Sequence, residues 1–383
     1  MHKVKKLCRC LKILLGGYRE KRKIIWKDKN LYFTLLTLYP LENQRIFEDF
    51  CKVSYVKSIC GHKFVKYIYS RLYQNVINYP GGLSIEEDKI KAVVKQVADS
   101  FLGGVSRYDT LQSWFIDADS RHLLDLEILQ KILEEAGWSS EFSSVAMCTG
   151  ISKKKWQLLC RESQKSIALP DFLGRRVDDA YVNFAKTAVF LLNQYEYKDF
   201  CTVRSGDVFF DCGACFGDTA IWAADKVGNC GTVVAFEPIK EQESVLRENV
   251  KRYLSGKSIR VENLAVSDCN GLVSFVEGGE GSRLSEMGEI RIQAVKIDDY
   301  CRARNIWPDY IKMDIEGSEL AALRGAETTI RERKPRLAIC VYHKPAEDLW
   351  EIPCFLKACV PSYRFYLKKS HYTWETVLFA VAE

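Results

Sequence analysis

Asp211, Glu237, Asp314 and His343 each stand at or just after the end of a short apolar run, and each is a residue type that binds polar ligands or moves protons. Asp211 closes Val208-Phe209-Phe210 and leads into Cys212-Gly213-Ala214-Cys215-Phe216-Gly217-Asp218-Thr219, which reads as a strand, a tight turn and a helix start. Gly213 and Gly217 allow the backbone to approach a ligand where a Cβ would collide. The free amides that open the helix at Asp218 and Thr219 suit polar or anionic groups. Such a turn reads as a cradle for a cofactor.

Glu237 lies 26 residues beyond Asp211, at the end of a second apolar run. An acid there can accept hydrogen bonds from both hydroxyls of a ribose. Nicotinamide sites use an acid in this way too, but their loop is G-x-G-x-x-G, whereas here a carboxylate precedes a turn with only Gly213 and Gly217. A carboxylate at that strand end would repel a pyrophosphate and suits a cationic amine. An amino acid joined to a nucleoside meets both demands, and S-adenosylmethionine is such a molecule.

Asp314, Glu316 and His343 are the candidates for acid–base work on an acceptor. Methyl transfer from a sulfonium is an in-line displacement, so most of its catalysis can come from holding an acceptor oxygen about 3 Å from the methyl carbon. A hydroxyl is a poor nucleophile at neutral pH, and a base beside it helps. His343 is the first choice, because a neutral imidazole titrates near the working pH. Asp314 and Glu316 face one edge only if the strand breaks after them, which Gly317 permits. Asp314, Glu316 and Glu319 could also gather a divalent metal through hard oxygens, but plain hydrogen bonding is the preferred reading and no metal is expected. Glu319 is expected to cap a helix running to about residue 330, and Lys312 and Lys344 read as solvated.

The elements that would position these groups follow from periodicity. Strands are expected at 207–211, 232–237, 259–266, 310–315, 337–342, 363–367 and 377–381, mostly separated by helical stretches. That alternation predicts an α/β fold with a mainly parallel sheet and helices on both faces, with ligands outside the carboxyl ends of the strands. Residues 31–200 read as a mostly helical domain. Ser84 with Glu87 forms a capping box ahead of a 90–101 stripe, residues 129–136 form a second stripe ending at Gly137, and 178–195 is rich in apolar and aromatic residues.

Taken in order, Asp211-Cys-Gly-Ala-Cys-Phe-Gly-Asp-Thr219, Ala235-Phe-Glu-Pro238, Leu264-Ala-Val-Ser-Asp268, Ile311-Lys-Met-Asp-Ile-Glu-Gly-Ser-Glu319 and Tyr342-His-Lys344 resemble the FkbM family of S-adenosylmethionine-dependent methyltransferases. Asp348-Leu-Trp-Glu-Ile-Pro353 and Trp374-Glu-Thr-Val-Leu378 resemble its bacterial members. The resemblance covers roughly residues 200–383. It implies a class I methyltransferase fold, Rossmann-like with seven strands. It places Asp211, Gly213 and Gly217 around the methionyl end, Glu237 on the ribose, and Ala265 and Val266 beside adenine, with Ala214, Asp218 and Thr219 of the turn also binding the cofactor. It also implies O-methylation, commonly of a sugar or secondary-metabolite hydroxyl. Cys212 and Cys215 superficially resemble a thioredoxin-type pair, but a dithiol mechanism has no use for Glu237 or the Asp314 motif, so they read as turn residues.

Composition bounds the rest. The 383 residues carry 56 Lys and Arg against 50 Asp and Glu, and residues 1–30 hold 11 against 2 of these, leaving the remaining 353 at 45 against 48. The basic excess is therefore N-terminal, which argues against a nucleic-acid-binding body. Val4, Leu7, Leu11, Leu14 and Leu15 recur at helical spacing among lysines and arginines, the pattern of a basic amphipathic helix that rests on an anionic membrane surface. No run is long enough to span a membrane. Lys12 and Arg9 interrupt what would be the apolar core of a secretory signal. Fifteen cysteines without a regular framework read as reduced thiols, hence a cytoplasmic protein, peripheral to the inner face of the membrane if the first helix docks there. The expected acceptor is a sugar or glycan of the cell surface, or its precursor. The competing class is a non-catalytic S-adenosylmethionine-binding protein that recruits a partner through its helical half.

Overall fold

The computed structural model describes residues 105–121, 123, 124, 127, 153–167, 177–253, 258–276, 283, 284, 290–371 and 375–382. The basic segment 1–30, the capping box at Ser84 and the stripes expected at 90–101 and 129–136 lie outside the described residues. The chain divides into two compact units, Met1–Lys91 and Ala92–Glu383, and everything below concerns the second.

Before the sheet come α1 (Val105–Trp114), α2 (Lys153–Ser166) and α3 (Asp179–Ala185), the last running into a π-helical turn at Lys186–Leu191. The sheet begins with β1 (Val208–Cys212), followed by α4 (Asp218–Val227), β2 (Thr232–Phe236), α5 (Lys240–Tyr253) and β3 (Ile259–Glu262). The chain then forms β4 (Ala265–Val266), β5 (Gly271–Val276), β6 (Arg283–Leu284), β7 (Ile290–Val295) and α6 (Ile297–Arg304). It returns to the main sheet through β8 (Tyr310–Met313), α7 (Glu319–Arg324), α8 (Glu327–Arg333), β9 (Arg336–Cys340), α9 (Pro345–Cys359), β10 (Tyr363–Lys369) and β11 (Thr376–Ala382).

The main sheet has seven strands in the order β10-β11-β9-β8-β1-β2-β3. β3, β2, β1, β8 and β9 pair in parallel, whereas β11 is antiparallel to both β9 and β10. This is the strand order of the class I methyltransferase fold. From β1 the chain winds outward through β2 and β3, then crosses back to β8 on the other side. The reversal opens a crevice at the carboxyl ends of β1, β2 and β8, where a doubly wound sheet binds its ligand.

The strands form where they do because their apolar runs are buried on both faces, as in Phe209 and Phe210 of β1 and Val233 to Phe236 of β2. One run breaks the pattern: Lys312 in β8 is 2% exposed, and the register sets it directly beside Asp211 of β1. Two expected boundaries change. The run 259–266 is not one strand, because Asn263 turns back to donate to the carbonyls of Glu237 (2.9 Å) and Pro238 (3.0 Å), sending Ala265 and Val266 into a second sheet of order β4-β7-β5-β6. The helix expected to continue to about residue 330 ends at Arg324. Gly325 lies so close to the 267 carbonyl that a Cβ would stand 1.9 Å from its oxygen, so the chain bends before α8.

The unit Ala92–Glu383 includes the sheet and the end of the stretch 31–200 that the sequence assigns to a helical domain. Val189, Tyr195, Tyr197, Cys201 and Val203 share one hydrophobic cluster with Phe209, Trp222 and Phe379 of the sheet and its helices. Lys368 of β10 holds the end of the π-helical turn by donating to the carbonyls of Leu192 (2.7 Å), Asn193 (2.6 Å) and Glu196 (3.0 Å). The aromatic-rich stretch thus becomes a wall over the crevice.

Candidate active site

The crevice is a cavity of about 850 Å³, of the size that holds a nucleoside cofactor together with a second molecule. It is lined by Gly213, Asp218, Thr219, Glu237, Ala265 and Val266. Gly213 has φ +81°, and a Cβ there would stand 2.0 Å from the carbonyl oxygen of Asp314, so only glycine lets the ends of β1 and β8 meet. Glu237 is 3% exposed, and its carboxylate accepts from the backbone N–H of Cys215 (2.8 Å) and of Ile239 (2.9 Å). Burial outweighs these bonds and pushes the carboxyl up to about 7. Each oxygen keeps a lone pair for a ribose hydroxyl. Phe236, Ile239, Leu264, Ala265 and Val266 supply an apolar slot of the kind an adenine ring fills. Tyr181 of α3 reaches across to donate to Asp218 (3.0 Å) and packs edge-on against Phe216.

Asp211, Ala214 and Gly217, also expected to bind the cofactor, do not line the cavity. Asp211 is fully buried and does not line the cavity; Lys312 Nζ stands 3.0 Å from its Oδ1 and donates to the carbonyl of Gly213 (2.7 Å). Burial pushes Asp211 up to about 6 against the pull of that ammonium. Its charge is thus met from within the protein, so direct capture of a substrate amine gives way to a positioning role for the Gly213 turn. Lys312 is accordingly not a solvated lysine. A lysine inside the apolar run Tyr310-Ile311-Lys312-Met313 was the signal for this pair. Ala214 is buried in the core, and Gly217, at φ +96°, serves the turn, since a Cβ would stand 2.5 Å from Leu246 Cδ1. Cys212 and Cys215 are free, and burial pushes both thiols up, away from the thiolate that redox chemistry needs.

The same cavity is also lined by Asp314, Glu316, Tyr195, Tyr342, Glu375 and His371. β8 ends at Met313, and Glu316 (φ 57°) and Gly317 (φ 86°) turn the chain so that Asp314 and Glu316 both line the cavity. Asp314 accepts from the hydroxyls of Tyr195 (3.0 Å) and Tyr342 (3.1 Å). Burial works against its charge, but His343, Lys312 and the two tyrosines outweigh it and hold the carboxyl below its ordinary value. Glu375 accepts from Gln194; burial and the Asp314 charge push it up to about 8, so it carries a proton at neutral pH.

His343 is not on the cavity surface. Its side chain is 9% exposed, with Nδ1 3.0 Å from Glu319 Oε1 and Nε2 3.4 Å from both Asp314 Oδ1 and Glu316 Oε2. Burial favours the neutral ring, but these carboxylates outweigh it and raise the group to about 9. That direction favours the protonated ring, and His343 stands off the cavity surface, so it does not take the place of a neutral base beside the acceptor that the sequence suggested. The imidazole that lines the cavity is His371. It packs edge-on to Trp156 at 4.6 Å, and burial and Lys369 hold it down at about 4. Neither His371 nor the tyrosines 181 and 195 belong to a motif legible in the sequence. Glu319 opens α7 in the first turn as expected, but its side chain does not cap the helix: its Oε1 accepts from the N–H of Ile315 (2.9 Å) in the turn before it.

Strand order, the turn at Gly213, the acid at the end of β2 and the apolar slot beyond it define a class I, S-adenosylmethionine-dependent methyltransferase domain. Residues 211–365 match the family model described as the methyltransferase FkbM domain. Among solved structures, the chain is similar to methyltransferase FkbM from Methylobacillus flagellatus KT (20% identity, TM-score 0.47), with 78% of this chain and 63% of that one covered. The chain thus spans somewhat under two thirds of that protein's length. It is also similar to the O-methyltransferase from Bacillus cereus in complex with SAH (13% identity, 63% and 95% covered, TM-score 0.31). A third is Aeropyrum pernix fibrillarin with bound S-adenosyl-L-methionine (12% identity, 47% and 68% covered, TM-score 0.31). No curated protein matches the chain in sequence.

Proposed function

We propose that the protein methylates a hydroxyl oxygen of a sugar or glycan. The observation that supports this reading is one cavity lined both by Glu237 with its apolar neighbours and by the polar groups Asp314, Glu316 and Glu375. S-adenosylmethionine supplies an electrophilic methyl group on a sulfonium. As the acceptor oxygen bonds to the methyl carbon, the carbon–sulfur bond breaks, its electron pair stays on sulfur, and the hydroxyl proton must leave. Glu316, on the cavity surface, is placed to receive that proton. Asp314, held by two tyrosine hydroxyls, orients the acceptor and disperses developing charge. Glu375, protonated, donates to an acceptor oxygen. The basic segment 1–30 would bring such an enzyme to an anionic membrane, where lipid-linked glycan precursors are found; among the described residues no helix is long and apolar enough to cross one.

The test is transfer of a labelled methyl group from S-adenosylmethionine to a panel of nucleotide sugars, lipid-linked sugars and glycans, with products hydrolysed to locate the ether. Label in a sugar O-methyl ether is expected. Label that appears only in amines or thiols, or cofactor binding with no acceptor in any class, would overturn the reading and favour a binding protein.

A further inference from the structure

We propose that Asp314, Glu319 and His343 hold a divalent metal ion at the floor of the cavity, with Glu316 beside it. One ligand atom from each of Asp314, Glu319 and His343 can be chosen so that all lie within 4.8 Å of one another, close enough to share one ion after small side-chain adjustments.

Unsatisfied polar atoms carry the argument beyond proximity. Although carboxylates surround the His343 ring, neither ring nitrogen makes a hydrogen bond of good geometry, and the side chain is 9% exposed. Glu319 is fully buried, and its Oε2 has no hydrogen-bond partner. Buried polar atoms without partners are uncommon, and each calls for an unseen water or ion. Here they converge on one point.

Charge gives the same direction. Asp314, Glu316 and Glu319 are three carboxylates within 3.4 Å of the His343 ring, which can offer them one positive charge, so this cluster carries an excess of two negative charges when all are ionised. Buried carboxylates in excess are costly unless a cation joins them. A dication with a neutral imidazole lowers the excess to one.

The geometry also assigns the ring its two tasks. Nδ1, 3.0 Å from Glu319 Oε1, matches the carboxylate–histidine arrangement that orients a metal-bound imidazole, leaving Nε2 toward Asp314 and Glu316. Glu319 Oε1 orients the ring, and its unpartnered Oε2 is the atom left for the ion. Mixed nitrogen and carboxylate donors suit Mn²⁺, Fe²⁺, Co²⁺ or Zn²⁺ better than Ca²⁺. Because Asp314 and Glu316 line the cavity, an open coordination position would face the acceptor, where the ion could polarise its oxygen. The site stands on the geometry alone; only this task rests on the methyl-transfer reading.

The experiment uses the full chain, freed of metal by chelator and dialysis. Mn²⁺ is titrated in and followed by the electron paramagnetic resonance of the free ion, and Co²⁺ by its visible absorption. One equivalent bound by the wild type is expected, with at least a tenfold weaker site in His343→Ala and in Asp314→Asn. Affinity for S-adenosylhomocysteine serves as the check that each variant is folded; a variant that fails it is replaced by Glu319→Gln, which removes the third ligand. No stoichiometric binding by the wild type, or equal binding by all folded variants, would overturn the site. In a parallel arm, a methyl-transfer rate that falls on chelation and returns with metal supports the polarising task, and an unchanged rate overturns that task.

Discussion

Glu237 and Lys312 show how much depends on single buried groups. Glu237→Ala should weaken S-adenosylhomocysteine binding by ~1–3 kcal/mol, the cost of losing charged acceptors for the ribose hydroxyls; calorimetry that finds unchanged affinity in a folded variant would refute the ribose assignment. Because burial raises this carboxyl to about 7, and the ribose hydroxyls favour its ionised form, binding should release a proton. Affinity should therefore rise between pH 6 and pH 8, and the Ala variant should lose that part of the dependence. Lys312→Met leaves Asp211 buried without its cation, at a cost of about 3–5 kcal/mol in denaturant unfolding. Adding Asp211→Asn should recover much of the loss; strictly additive losses would show that the two groups do not act as a pair.

His371 gives a separate pH signature. Its folded value of about 4 lies below the ordinary 6.5, so between those values the unfolded chain binds more protons and stability falls as pH drops. Nearby carboxyls with raised values slope the other way, so the comparison to make is wild type against His371→Gln. The wild type should lose more stability than the variant from pH 7 to pH 5 in thermal unfolding; parallel curves would place the ring in contact with solvent.

At the scale of elements, the crevice depends on two contacts between segments far apart in sequence. Gly213→Ala forces a Cβ into the Asp314 carbonyl and should cost well over ~1 kcal/mol while weakening cofactor binding. The second contact is the wall formed by residues 177–203. Tyr195→Phe removes one of the two hydroxyls that hold Asp314, and should lower the single-turnover rate of methyl transfer while leaving S-adenosylhomocysteine affinity within about twofold, since its hydroxyl donates to Asp314. If the cofactor were weakened as much as the rate, Asp314 and the cofactor-binding groups would not be separable. The seven main strands were legible as runs of apolar residues. The second sheet was missed, although Ile-Arg-Ile-Gln-Ala at 290–294 alternates as a half-buried strand does; its partners, Gly271–Val276 and the short Ala265–Val266, are set only once Asn263 diverts the chain from the main sheet.

For the whole molecule, the charge distribution makes a prediction independent of the crevice. If residues 1–30 bind the protein to anionic lipid, their deletion should abolish co-sedimentation with phosphatidylglycerol vesicles at low salt and leave cofactor affinity unchanged. Equal pelleting of both chains would remove the membrane role.

The sequence by itself determined the α/β alternation, the placement of Asp211, Glu237 and Asp314 at strand ends, and the turn at Gly213, because each is written in local periodicity and in residue types with few alternative uses. Only the tertiary structure decided what those groups face. Register set Lys312 against Asp211 and so neutralised a carboxylate that the sequence had offered to a ligand. The packing of α7 beside the end of β9 brought Glu319 to His343, turning an expected neutral base into the centre of a ring of acids. The wall of tyrosines came from a segment with no motif at all. Strand ends are fixed by short-range pattern, whereas the charge state of a buried group is fixed by neighbours a hundred residues away, and no local pattern records them.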